Sequence, residues 1–386
     1  MFLGLNRKIF TTRFKTYFIL SSFFLNSCSN NIQSLNNDNK TEFYTLNLPD
    51  SFPEPYIPEE NKLTKPKVKL GRYLFYDKNL SIDKTVSCGT CHIQSKAFTD
   101  GRKVAIGINN SIHSKNSMSL TNIVYNTSLT WANPNLDKLE TQMLIPIFGE
   151  TPPEMGMSGK ENILIQRIKE EKIYSKMFKR AFPNENEPFN INNITKAIAS
   201  FQRTLISSNS RYDKKLMSEE SLKGQKLFFS EKLECFHCHG GFNFSGETRR
   251  KNTTFIEKEF HNNGLYNIDE NGNYPNNGRG LIDITLKKTD MGKFKAPTLR
   301  NIELTAPYMH DGSIETLEEV IEHYSRGGRI IHSGDFKGDG KNNPYKSGFV
   351  KGFNISEQEK KELIEFLKSL TDQEFISNKE FSDPFQ

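Results

Sequence analysis

The chain has 386 residues, of which 35% are hydrophobic, and 52 Lys+Arg against 46 Asp+Glu give a net charge of +6. Together with a mean hydropathy of −0.63, these numbers exclude a polytopic membrane protein. Arg7, Lys8, Arg13 and Lys15 all precede position 28, and without them the balance is 48 to 46, or +2, too even to imply a nucleic-acid-binding surface.

Residues 1–27 read as an export signal, with a basic start followed by the apolar run Tyr17–Leu25. That run is shorter than the roughly 20 apolar residues a bilayer span requires. It ends in Leu25-Asn26-Ser27-Cys28, which resembles a bacterial lipoprotein cleavage box with Cys28 as the lipid-bearing residue. Ser29, where an Asp would signal inner-membrane retention, favours the outer membrane by the same resemblance. The alternative is an ordinary signal peptide with an incidental cysteine. Residues 28–55 are expected to be a flexible tether, because Asn and Ser dominate their first half and large apolar side chains are few.

The other four cysteines fall in Cys88-Gly89-Thr90-Cys91-His92 and Cys235-Phe236-His237-Cys238-His239. C-x-x-C-H is the c-type haem attachment pattern: two thiols add to the haem vinyl groups and the adjacent histidine reaches the iron. A zinc site made of all four thiols is the rival, but it leaves both histidines unexplained. An internal repeat supports two haems. Leu70-Gly71-x-x-Leu74-Phe75 precedes the first motif and Lys223-Gly224-x-x-Leu227-Phe228 the second, with Gly71 and Gly224 153 positions apart and Cys88 and Cys235 147 apart. The same helix should therefore precede each site, with a loop six residues shorter in the second copy.

Helical spacing of Ile194, Ile198, Phe201 and Leu205, and of Leu363, Phe366, Leu367 and Leu370, marks helices near the end of each copy. The Asn271–Gly280 and Gly334–Asn343 stretches read as loops. The predicted fold is mainly α: two cytochrome c-like haem domains in tandem, 56–210 and 211–386, with long connecting loops. Each core would be largely porphyrin.

The two attachment motifs are joined by Phe98-Thr99-Asp100-Gly101, Gln142-x-x-x-Pro146, Pro153-Glu154-Met155-Gly156, Pro297-Thr298-Leu299-Arg300-Asn301 and Leu304–Gly312. On these motifs residues 60–375 resemble the bacterial di-haem cytochrome c peroxidases and their MauG branch. The resemblance implies that the first haem, with His92 as proximal ligand, is the peroxide site. The family histidine that caps this iron sixteen residues after the proximal one is here Ile108, which cannot ligate and leaves that face open. His113 is the nearest substitute, expected to be a surface residue. Glu154 would be the distal acid/base and Gln142 would orient peroxide, with Glu150 as a competitor for the acid/base role.

Trp131, the only tryptophan, matches the residue that carries electrons between the haems. Asn116, Thr305 and Pro307 match an inter-haem calcium site of oxygen donors. The second haem would have His239 as proximal ligand and Tyr324 in place of the usual distal methionine, as in MauG, with His323 and Met309 as rivals. A phenolate there would lower the potential of that haem.

The expected function is reduction of hydrogen peroxide with electrons from a small c-type cytochrome or similar periplasmic donor. The alternatives are MauG-like oxidation of a protein side chain and a non-catalytic di-haem electron carrier. Two haems, one calcium ion, a lipid anchor through Cys28 and no nucleic acid complete the expectation, and a homodimer is compatible with it.

Overall fold

The apolar spacing and capping residues of the chain become seven helices of ten residues or more among the described residues. These are α1 (Lys65–Tyr76), α2 (Glu161–Glu170), α3 (Lys172–Ala181), α4 (Ile191–Gln202), α5 (Glu219–Phe228), α6 (Leu317–Arg326) and α7 (Glu357–Ser369). Thr64, Asn190, Ser218, Thr316 and Ser356 each accept a backbone N–H of the helix they precede, satisfying donors that have no intrahelical partner. Gly327, at φ 82°, ends α6. The computed structural model describes residues 41–386, so the expected signal peptide, Cys28 and the beginning of the tether lie outside the described residues.

Helix pairing makes the internal repeat physical. α1 packs on α4 and α5 on α7. At Gly71 a Cβ would stand 1.9 Å from the Ala197 carbonyl oxygen, and at Gly224 a Cβ would stand 1.9 Å from that of Glu362. Each repeat glycine therefore lets two helix backbones touch, as only a residue without a side chain allows. Phe201 and Phe366 are the next neighbours at the two crossings, so the closing helices are equivalent as well.

Two aromatic cores surround these crossings. Phe75, Phe98 and Phe201 pack in the first, and Phe228, Phe244 and Phe366 in the second, with centroids 5.2–6.2 Å apart. Among the described residues strand is confined to two antiparallel pairs, β1 (His261–Asn262) with β2 (Lys293–Phe294) and β3 (Ile330–Ile331) with β4 (Gly338–Asp339). The other described residues are short helical turns and loops stapled by side-chain hydrogen bonds. Arg300 is 1% exposed and pairs with Asp213 through both terminal nitrogens, 2.8 and 3.0 Å.

The tether expectation needs correction over its second half. Residues 42–386 form one compact unit. Phe43 bridges Thr64, Pro55 bridges Arg250, and Phe52 is buried against Tyr125 and Phe242. The Leu48 and Phe52 side chains give this stretch enough apolar surface to dock, which its Asn-rich beginning does not foreshadow.

Candidate haem sites

Cys88–Cys91 form a single helical turn behind a Ser87–Thr90 capping box, and His92 ends it. Cys235–His237 form a 3-10 turn, with Cys238 and His239 following. All four thiols are unpaired. His92 Nδ1 lies 2.8 Å from the Phe98 carbonyl oxygen; His239 Nδ1 lies 3.1 Å from that of Pro297 and 3.3 Å from that of Phe244. Donation from Nδ1 fixes the ring and leaves Nε2 as the free donor of an electron pair, the arrangement that a metal-ligating histidine needs. Burial lowers the pKa of both imidazoles, that of His239 to about 4, which keeps them in the neutral, ligating form.

Phe98 (φ 61°) and Phe244 (φ 48°) both occupy the left-handed region, rare for bulky residues. That turn aims each carbonyl at its histidine. The sequence gives no local sign of it, because phenylalanine does not advertise a positive φ.

Above the first motif, Cys91 Sγ is 4.0 Å from the Ile106 carbonyl oxygen. The adjoining Ile108 N–H donates to the Glu154 carbonyl, 2.9 Å. Glu154 is held by its neighbours: Met155 and Met157 are buried, and their N–H groups donate to Pro146 and Ile147. Burial, with the Glu154 charge as a smaller contribution, raises the pKa of both Cys88 and Cys91. Burial raises its own carboxyl to about 7. Glu150 is exposed. Gln142 ends the short helix Leu139–Gln142 and is half-buried.

Ile108 is buried, with its Cδ1 against Gly156. His113 is not the surface residue expected. Its side chain is 15% exposed and its Nδ1 is 3.9 Å from Glu154 Oε1. The strand alternation that turns Ile112 outward turns His113 in.

The second motif faces a cavity lined by Cys235, Cys238, His239, Met309 and Tyr324. Burial pushes the Tyr324 phenol up to about 12, with the nearby Asn263 side chain acting in the opposite direction. Asn263 Nδ2 is also 3.3 Å from Met309 Sδ. His323 is absent from that lining, and its Nε2 is 3.0 Å from the Asn263 carbonyl oxygen. Trp131, Asn116, Thr305 and Pro307 line the same cavity. Trp131 Nε1–H donates to the Asn116 carbonyl, 2.8 Å, and Asn116 N–H to that of His310, 2.8 Å. Asn116 Nδ2 donates to Arg102 O, and its Oδ1 accepts no hydrogen bond from the described residues.

The di-haem cytochrome c peroxidase family model matches residues 65–221. The methylamine utilization protein MauG of Methylorubrum extorquens is 33% identical over 327 residues, covering 83% of this chain and 82% of the relative. The chain belongs to the di-haem cytochrome c peroxidase and MauG family. A cytochrome c551 peroxidase of Nitrosomonas europaea is 32% identical over 264 residues, 67% of this chain and 72% of that protein. A solved MauG-like protein associated with microbial copper homeostasis is 46% identical with a TM-score of 0.87, covering 89% of this chain and all of that one.

Membership of the di-haem peroxidase family makes the chain an oxidoreductase with two c-type haems, and the paired thiols and oriented, neutral histidines fit those groups. No helix among the described residues is long and apolar enough to cross a membrane. Three features of the sites escaped the sequence reading: the Phe98 and Phe244 carbonyls, Asn263 between Tyr324 and Met309, and the buried Lys295 beside Glu247. Lys295 lines the cavity and donates to Ser128 O, 2.7 Å.

Proposed function

We propose that the chain reduces hydrogen peroxide to water at the His92 site, drawing electrons through the His239 site from a small c-type cytochrome or similar periplasmic donor. The bound haems supply the iron that takes up peroxide and the store for its oxidising equivalents. The protein supplies the proton chemistry. Glu154 takes a proton from the oxygen nearer the iron and returns it to the departing one, so that H2O2, two electrons and two protons yield two waters. A carboxyl near pH 7 is suited to both halves of that transfer. Gln142 orients the peroxide, and the Ile108 side chain offers no ligand to compete with it.

Trp131 serves as the relay between the haems, supported by its place on the cavity wall beside Asn116. Asn116 Oδ1 and the Thr305 and Pro307 carbonyls form a calcium site on that wall. Tyr324 is the distal ligand of the second haem, supported by its place on the lining and by the commitment of His323 Nε2 to Asn263. The haem domains are 56–210 and 211–386. A lipid on Cys28 holds the protein at the periplasmic face of a membrane, the outer one by the residue that follows.

The observation that carries the reading is the desolvated Glu154 carboxyl above the first attachment motif. Steady-state peroxide turnover with a reduced small cytochrome tests it: wild type turns over, Glu150→Gln matches it, and Glu154→Gln loses at least about a hundredfold. Equal activity in both variants would remove Glu154 from the mechanism. Ile108, Tyr324 and the 46% identity to a MauG-like protein associated with copper homeostasis favour a second reading, oxidation of a side chain on a partner protein that serves copper handling.

A further inference from the structure

We infer that His113 and Glu154 form a proton-sharing pair on the distal side of the first haem site, with His113 as the positioning residue that sets the charge of the carboxyl. The inference rests on the Glu154 reading and deepens it.

The pair is built by a docked hairpin. Ala105 and Lys115, Ala105 and His113, and Gly107 and Ser111 are joined by backbone hydrogen bonds of 2.8–3.1 Å. Asn109 and Asn110 make the tip at φ 52° and 57°. Three contacts lock this hairpin to the Glu154 loop. Ile108 N–H donates to Glu154 O, Ser111 Oγ donates to Pro153 O at 2.6 Å, and a Cβ on Gly107 would lie 2.3 Å from Pro153 O. The distance between the two side chains is therefore set by backbone rather than by flexible loops.

His113 Nδ1 stands 3.9 Å from Glu154 Oε1, within reach of one bridging water or a small ring rotation. Its Nε2 is buried and has no hydrogen-bond partner among the described residues. The imidazole therefore has no competing side-chain partner and faces the carboxyl through Nδ1. Lys115 is the other charge facing His113, with Asp283 next to Lys115, and the Pro153 carbonyl lies beside the ring.

Two titrating groups this close take up protons in coupled steps that belong to the pair. As pH falls, Glu154 protonates first; protonation of His113 then pulls the carboxyl back towards its ionised form. During O–O cleavage the proton taken from one peroxide oxygen resides on the pair and is delivered to the other, with no net gain or loss.

The test follows the Glu154 carboxyl band by infrared difference spectroscopy across pH in the ferric holoprotein, assigned by its absence in Glu154→Gln. Wild type should give a two-step curve, and His113→Gln, which keeps a polar side chain without a titrating proton, a single-step curve. His113→Asn provides a second variant, and an unchanged spectrum of the second haem reports intact folding. Identical one-step curves for wild type and both variants overturn the pair. The readout does not depend on turnover, so an inactive but two-step protein would refute the peroxidase reading and leave the pair standing.

Discussion

Replacing Glu154 with Gln should abolish peroxide turnover and, at alkaline pH, stabilise the fold. The carboxyl rises from 4.5 in its reference state to about 7 in the protein because burial disfavours its charged form. A folded-state pKa above the unfolded value means that the folded chain holds a proton the unfolded chain has released. Stability therefore falls as pH rises from about 4.5 to 7 and is level on either side of that window. The shift of about 2.5 pH units corresponds to roughly 3 kcal/mol. The side chain is 32% exposed, and discounting for solvent screening leaves about 1–2 kcal/mol. Glutamine carries no charge at any pH, so the variant should match wild type near pH 4 and exceed it by this amount at pH 8. For a protein of this size the gain is about 1–3 °C in Tm, read by circular dichroism of the holoprotein at both pH values. A variant no more stable than wild type at pH 8 would refute the desolvation argument; one that gains stability and keeps turnover would refute the catalytic assignment alone.

Gly224→Ala should separate α5 from α7, because its Cβ would sit 1.9 Å from the Glu362 carbonyl oxygen. The expected cost is at least about 2 kcal/mol, seen as a fall in Tm with the visible spectrum of the second haem perturbed before that of the first. Wild-type stability would show that the crossing relaxes without strain. Tyr324→Phe should alter the electron paramagnetic resonance of the second haem alone, and His323→Gln should leave it unchanged. If the tyrosine variant keeps the wild-type signal, Met309 on the same cavity wall becomes the ligand.

The attachment chemistry was legible in the sequence because a haem needs two thiols and a histidine at fixed local spacing, and the repeat was legible because Gly71 and Gly224 are each flanked by the same apolar pattern. The glycines could be matched but not explained. Only the crossing of α1 with α4 and of α5 with α7 shows the carbonyl that each one admits. Likewise, the periodicity of Phe201 and Phe366 announced packing without naming the partner. Phe52 is the clearest loss: an aromatic in a largely polar stretch looks solvent-bound until Tyr125 and Phe242 arrive from far along the chain.

The sequence by itself determined which groups carry covalent chemistry, since C-x-x-C-H is a property of five consecutive residues. It also determined that position 108 offers no ligand, because isoleucine has no lone pair in any conformation. Tertiary structure alone decided the surroundings of the ionisable groups. Glu154 and Glu150 are the same residue four positions apart; the Pro-Glu-Met-Gly motif favours Glu154 by resemblance, and folding adds that Glu154 is desolvated while Glu150 is exposed. His113 and His323 are likewise ordinary histidines until folding turns one towards a carboxylate and ties the other to a backbone carbonyl. Ligation is chemistry of identity, whereas a proton affinity is set by surroundings, and surroundings are assembled from residues that the chain order keeps apart.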